Sequence, residues 1–180
     1  DIEAGHIIRL YGEVGENYGL TTLTMDADVT PADCGASDDV LTTELAMPYD
    51  VDLETLEGML VSVTDATVTS QNNLWRYGEL VVRDSIKRQP SDVAAPLSEA
   101  YEAAVEAAEA SLLTIEDDNS NSYPDDISYF PTFSYANAIR VGDTVTAAGP
   151  LNYSFGTYRI NPTDVISVTS GREANPVVTE

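Results

Sequence analysis

Apolar and polar residues alternate most regularly over Glu57–Val82, EGMLVSVTDATVTSQNNLWRYGELVV. Met59, Val61 and Val63 fall on one face, and Leu60, Ser62 and Thr64 on the other. A period of two in a Val- and Thr-rich run predicts a half-buried β-strand. Ser70–Asn73 (SQNN) reverses the chain, and Leu74, Tyr77, Leu80 and Val82 carry it back, so the stretch is expected to form a long, bent β-hairpin.

The same alternation frames both ends of the chain. Glycines fall at 5, 12 and 19 near the start and recur with identical spacing at 142, 149 and 156. Val145 then matches Ile8, Leu151 matches Val14 and Ile160 matches Leu23, while Asp65 stands where the central hairpin would place its second glycine. Glycine lets a strand bulge and bend, as small barrels need at their corners. None of these glycines opens a helix, which argues against a phosphate-cradling loop. Between the ends, Pro31–Val40 reads as a loop, Leu41–Met47 as a short edge strand and Asp52–Gly58 as one helical turn. Leu97–Ala110 is the one convincing helix, with Ser98 as N-cap and Leu97, Tyr101, Val105 and Ala108 as an apolar stripe. A short apolar strand follows, running into an acidic, Asn-rich loop over 111–126. Residues 127–141 read as irregular with four aromatics (Tyr129, Phe130, Phe133, Tyr135), and 171–180 as a tail.

These elements predict an all-β chain: an OB-like Greek-key barrel over 58–170, with one inserted α-helix (about 85–140). An additional N-terminal half-barrel or hairpin would occupy 1–57. The barrel needs about five strands, and residues 5–47 supply only the second half of one. Either those strands lie against the complete barrel, or the missing half comes from upstream sequence of a parent polypeptide or from a neighbouring subunit, since an unpaired edge of that length invites strand addition.

Length and charge narrow the picture. At 180 residues the chain can bury a real core. No run approaches the roughly 18 apolar residues of a membrane span. The opening residues read as folded sequence and not as a signal peptide, so the chain is expected to be a processed or excised portion of something longer. Acidic residues outnumber basic ones 31 to 8, for a net charge of −23. Dense carboxylates keep a surface hydrated in salty water, and they also suit divalent cations; both readings are open. Cys34 and His6 are each single and far apart, a poor basis for a Cys–His nucleophile.

Three segments taken in order, EGMLVSVTDATVTSQNNLWRYGELVV, KRQPSDVAAP and RVGDTVTAAGPLNYSFGTYRINPT, resemble the middle region of secreted bacterial endonucleases of the ExeM/NucH type. GHIIRLYGEVGENYGLTTLT resembles the YhcR-like OB-fold found upstream in such proteins. The resemblance implies an extracellular, non-catalytic β-barrel module. Catalysis in that family belongs to a downstream metal-dependent domain with no counterpart here, so no catalytic residue carries over.

Two residue sets are candidate sites. Trp75, Tyr77, Tyr153 and Phe155, with Tyr158, would form a base-stacking platform beside Arg76, Arg83, Lys87, Arg88 and Arg159, the use an OB-fold face often has for DNA. Asp117, Asp118, Asn119, Asn121, Asp125 and Asp126, with Glu116, supply oxygens for a Ca²⁺ site, although the glycine and glutamate of a complete calcium loop are missing. The leading expectation is an accessory module of a secreted nuclease that positions the catalytic domain and touches DNA. The alternatives are a structural subunit of an extracellular assembly or filament, completed by a neighbour's strand, and a carbohydrate- or calcium-binding adhesion module.

Overall fold

The computed structural model describes residues 5–37, 40–134 and 137–171. Along the chain, strands β1 (His6–Arg9), β2 (Gly12–Asn17), β3 (Leu20–Met25), β4 (Ala32–Ala36) and β5 (Thr43–Glu44) lead to a 3₁₀ turn at Leu53–Leu56. Then come β6 (Leu60–Ser70), α1 (Leu74–Tyr77), β7 (Leu80–Arg83), α2 (Pro90–Val93), α3 (Glu99–Glu109) and β8 (Leu113–Ile115). β9 (Thr144–Ser154), β10 (Thr157–Ile160) and β11 (Ser167–Thr169) finish the fold.

Five strands close a barrel in the order β6–β7–β8–β10–β9 and back to β6. All pairs are antiparallel except β8–β10, which is parallel. This is the expected OB-like Greek-key barrel. β6 and β9 are long enough to span it, and β6 has a local irregularity. At Asp65 the backbone turns left-handed (φ 51°) and the register shifts between Val63 and Ala66. The inward set therefore changes parity, from Val61 and Val63 to Ala66 and Val68, all buried. Asp tolerates that conformation better than most residues, so it stands in for the glycine of the repeat. In β9, Gly149 lets the Asn161 carbonyl approach closely, at a place where a Cβ would run into it. Val82, Leu113, Ile115, Leu151 and Ile160 fill the interior.

Several elements depart from the sequence reading. The return of the central hairpin begins as helix α1, ended by Gly78 at φ 68°, whose N–H reaches the Leu74 carbonyl at 3.0 Å. Leu74 thereby plugs the barrel as a helical residue. Residues 32–36, read as loop, form β4 because β1 offers an antiparallel partner. β8 splits the expected single insertion in two, since it is itself a barrel strand between β7 and β10. Leu45 and Leu53 lie in the barrel core and β5 pairs with β6, so the barrel unit takes in residues assigned to the first unit. The Ser98 cap forms, its Oγ accepting from the Tyr101 N–H at 3.2 Å. Leu97, however, sits at φ 66° outside α3 and faces solvent, leaving a half-buried stripe of Tyr101, Val105 and Ala108. Residues 127–133 are irregular as expected, with Tyr129 and Phe130 in the core. Tyr135 and 172–180 lie outside the described residues.

Candidate functional site

A groove of about 790 Å³ runs over the outer surface of β7, β8 and β10. The β6–β7 connection bounds it through Asn73 and Tyr77, the β9–β10 hairpin through Phe155, and the segment after β8 through Glu116–Ser120. This is the strand 2–3 face, between the first and last hairpin loops, where OB-folds bind oligonucleotides and oligosaccharides. Each wall follows from local sequence. Phe155 and Gly156 form a two-residue turn with φ 51° and 78°, a geometry that presents the Phe ring outward. Outward positions of the strands supply Thr114, Asn152, Ser154 and Thr157.

The groove's chemistry centres on Arg159. Its Nη1 donates to Glu79 Oε1 at 2.7 Å and its Nε to the Ser154 carbonyl at 3.2 Å, and the guanidinium lies 5.1 Å from the centre of the Phe155 ring. Glu79 also accepts from Asn73 Nδ2 at 2.7 Å. Glu116 accepts from Asn161 Nδ2 at 2.7 Å, and burial raises its carboxyl above the usual range. Asp117, packed against Gly78, is raised by burial as well, with Asp118 and Glu79 adding repulsion. Its Oδ1 caps the Asn119 N–H, while Oδ2 is buried without a hydrogen-bond partner. Beneath them the Tyr129 hydroxyl donates to the Gly78 carbonyl at 2.7 Å. Glu79, Glu116 and Asp118 thus face one already paired cation, in a lining otherwise of amides, hydroxyls, Val81 and two aromatic rings.

The expected stacking platform is not one surface. Tyr77, Phe155 and Arg159 meet at the groove. Trp75 instead packs on Phe133 (5.5 Å between ring centres), beside Asp125 and Asp126. Tyr153 packs on Tyr158 (4.9 Å), whose hydroxyl donates to Glu54, and Gly19 of the β2–β3 turn seats against the Tyr153 ring. Nor do the cations form a stripe. Arg83 is held by the Ala108 carbonyl and Thr69, Lys87 by Asp84 at 2.7 Å, and Arg88 by the Asp92 carbonyl. Arg76 lies over Tyr77 and Tyr123.

The acidic loop does not gather into a cation cage. Asp117 and Asn119 use their side-chain oxygens on the N–H groups two residues ahead, those of Asn119 and Asn121. Asp118 turns to the groove, while Asp125 and Asp126 lie beside Trp75. Among the described residues no group of three or more His, Cys, Asp or Glu is placed to hold a metal ion. Thr114 and Asn152 escaped the sequence reading because outward polar positions of a strand look alike whether they line a groove or face water, and Asn73 and Glu79 because they flank a helical turn the sequence reading did not expect.

Comparison with known proteins gives one match: the sequence model of a family described as a domain of unknown function (DUF8508) covers residues 48–170. No curated protein and no solved structure matches. No helix among the described residues is long and apolar enough to cross a membrane.

Proposed function

The chain belongs to the family DUF8508, and from the groove that this barrel carries we propose that it is a non-catalytic binding module for neutral, polyhydroxylated ligands of the oligosaccharide class. One observation carries this reading: Arg159, the groove's only cation among the described residues, is consumed by Glu79, leaving carboxylates, amides and hydroxyls around two aromatic rings. Phosphate backbones are held chiefly by free Lys and Arg, so net negative walls oppose DNA. Sugar hydroxyls are donors that carboxylates and amide oxygens accept, and the apolar face of a sugar ring lies well on Phe155 or Tyr77.

The resemblance to secreted endonucleases fits this role as an accessory one: the module would hold a catalytic domain at a glycan-bearing surface, without touching the DNA itself. A second reading, a subunit joined to its neighbour through the N-terminal strands, is favoured by the apolar residues those strands expose.

Calorimetric titration with neutral hexose and N-acetylhexosamine oligosaccharides, alongside oligothymidylate at 0.1 M salt, tests the groove. Binding of at least one neutral oligosaccharide is expected, weakened about tenfold or more in Phe155→Ala, which corresponds to a loss of about 1.4 kcal/mol. The Phe155 side chain is almost fully exposed, so this variant keeps the fold. Oligothymidylate binding with no response to any neutral sugar would overturn the reading.

A further inference from the structure

Residues 5–36 reproduce the C-terminal part of the barrel strand for strand. Val14 faces Leu23 across β2–β3 as Leu151 faces Ile160 across β9–β10, and Asn17 faces Leu20 as Ser154 faces Thr157. Both hairpins turn on an aromatic–glycine pair with two positive φ angles, Tyr18-Gly19 (55°, 85°) and Phe155-Gly156 (51°, 78°). A Cβ on Gly12 would strike the Thr24 carbonyl, as one on Gly149 would strike that of Asn161. The terminal strands correspond too. β4 pairs with β1 through Arg9–Ala32 and Ile8–Asp33, as β11 pairs with β9 through Thr146–Ser167 and Val145–Val168, after a slightly longer connection.

The correspondence extends to the side chains that build a core. Val145, Ala147, Leu151 and Ile160 point into the barrel and are buried. Their counterparts Ile8, Leu10, Val14 and Leu23 are all apolar and all exposed. Leu151 is 1% accessible where Val14 is 69%, and Ile160 is 0% where Leu23 is 40%. β6, β7 and β8 cover the buried set, β6 antiparallel to β9 and β8 parallel to β10. Nothing among the described residues covers the exposed set. β9 runs unbroken where β6 lies beside it, whereas the equivalent stretch of the N-terminal arm breaks at Leu10 and Tyr11, where that neighbour is missing.

We propose that residues 5–37 are the C-terminal half of a second OB-like barrel, whose first half is a three-stranded antiparallel sheet of the β6–β8 kind contributed in cis by polypeptide on their N-terminal side. The occupant follows from the duplicated geometry. It must place one strand antiparallel to β1–β2 and one parallel to β3, and it must present aliphatic side chains inward, as Val61, Val63, Val82 and Leu113 do. A second copy cannot supply that sheet, because its own β6–β8 is already closed by β9 and β10. In the complete unit the covering sheet precedes β9 in the chain, and the same order puts the missing sheet ahead of β1. The β2–β3 turn is anchored to the complete barrel by the Thr21 N–H to Glu57 (2.8 Å) and by Gly19 on Tyr153, so the two barrels would stand side by side.

Hydrogen exchange with mass spectrometry tests this on the natural polypeptide that contains these residues and on the 180-residue chain, each with and without Val14→Asp plus Leu23→Asp. Amides of Gly12–Met25 are expected to exchange at least about a hundredfold more slowly in the longer polypeptide, the double variant abolishing that gain. The same variant should leave the melting temperature of the 180-residue chain unchanged. Equal exchange in both chains would overturn the proposal. Loss of barrel melting in the short variant would also overturn it, as would protection in the short chain that rises with its concentration together with a dimeric mass by light scattering, since a second copy would then be the occupant.

Discussion

Arg159→Met isolates the interaction that sets the groove's charge. Arg159 is 5% accessible and its guanidinium touches Glu79, the Ser154 carbonyl and the Phe155 ring. Methionine keeps most of the aliphatic stem and removes only the charge and its donors. Breaking a buried ion pair from one side costs about 3–5 kcal/mol, because the surviving charge loses its partner. Glu79 is partly open to water and keeps its Asn73 hydrogen bond, which places the loss at the low end, about 3 kcal/mol. Lys87 and Asp84 give the contrast. Their separation is the same, 2.7 Å, but both are more exposed, and such a pair contributes about 1 kcal/mol or less. Urea unfolding with linear extrapolation measures both losses, provided the slope is unchanged. Adding Glu79→Gln to Arg159→Met should restore much of the stability, with a coupling energy of roughly 2 kcal/mol, within the range seen for residues in contact. A loss below about 1 kcal/mol for Arg159→Met, or one indifferent to Glu79, would refute the view that this pair is desolvated and consumed.

Two further outcomes follow from the geometry. Gly149→Ala drives a Cβ into the Asn161 carbonyl and should lower barrel stability by about 1–3 kcal/mol, whereas Gly12→Ala, the equivalent clash in the arm, should leave the principal calorimetric transition of the 180-residue chain in place; equal losses would show that arm and barrel unfold as one unit. Burial raises the Glu116 and Asp117 carboxyls in the folded chain, so their protonated forms favour folding: that stability is complete below the unfolded values near 4 and is lost as pH rises through the raised folded values. Asp84 acts oppositely. Burial pushes it up, but Lys87, Ser111 and Ser85 together hold it below its ordinary value, so its contribution is lost only in stronger acid. The melting temperature should therefore climb from pH 7.5 to pH 5, less so in Asp117→Asn; a flat or falling profile would contradict this.

What the sequence makes legible is whatever a local rule dictates. The glycine spacing reports tight turns and strand kinks, and the Val/Thr alternation of 60–68 reports a half-buried strand. Ser98 reports a cap because its partner is three residues away. What it hides depends on neighbours remote in the chain. β4 is a strand because β1 lies beside it, and β8, three residues long, is a barrel strand because β7 and β10 flank it. The candidate cations looked available as a list. Arg83 and Arg159 are bound to oxygens that only the fold brings near: the Ala108 carbonyl and Glu79. The aromatics separate for the same reason: Tyr77 and Phe155 line the groove, whereas Trp75, in the same connection as Tyr77, packs on Phe133 instead.

Edge chemistry bears on what the N-terminal strands are for. Free sheet edges in water are blunted with charges or proline, because unpaired amides recruit other strands. In a chain with 39 charged residues out of 180, β3 (Leu20–Met25, LTTLTM) has none, and among the described residues β2 is its one strand partner. Its counterpart β10 is flanked on the same side by β8. Carboxylates gather instead on β2, as Glu13 and Glu16, and Glu57 reaches over to hold the Thr21 amide. Such a strand follows the rules of an interior strand, in composition as in register. A ribbon shaped only for solvent would have drawn on the acidic residues that cover the rest of the molecule; this one keeps the side chains of a barrel wall and the uncharged edge along which another strand pairs.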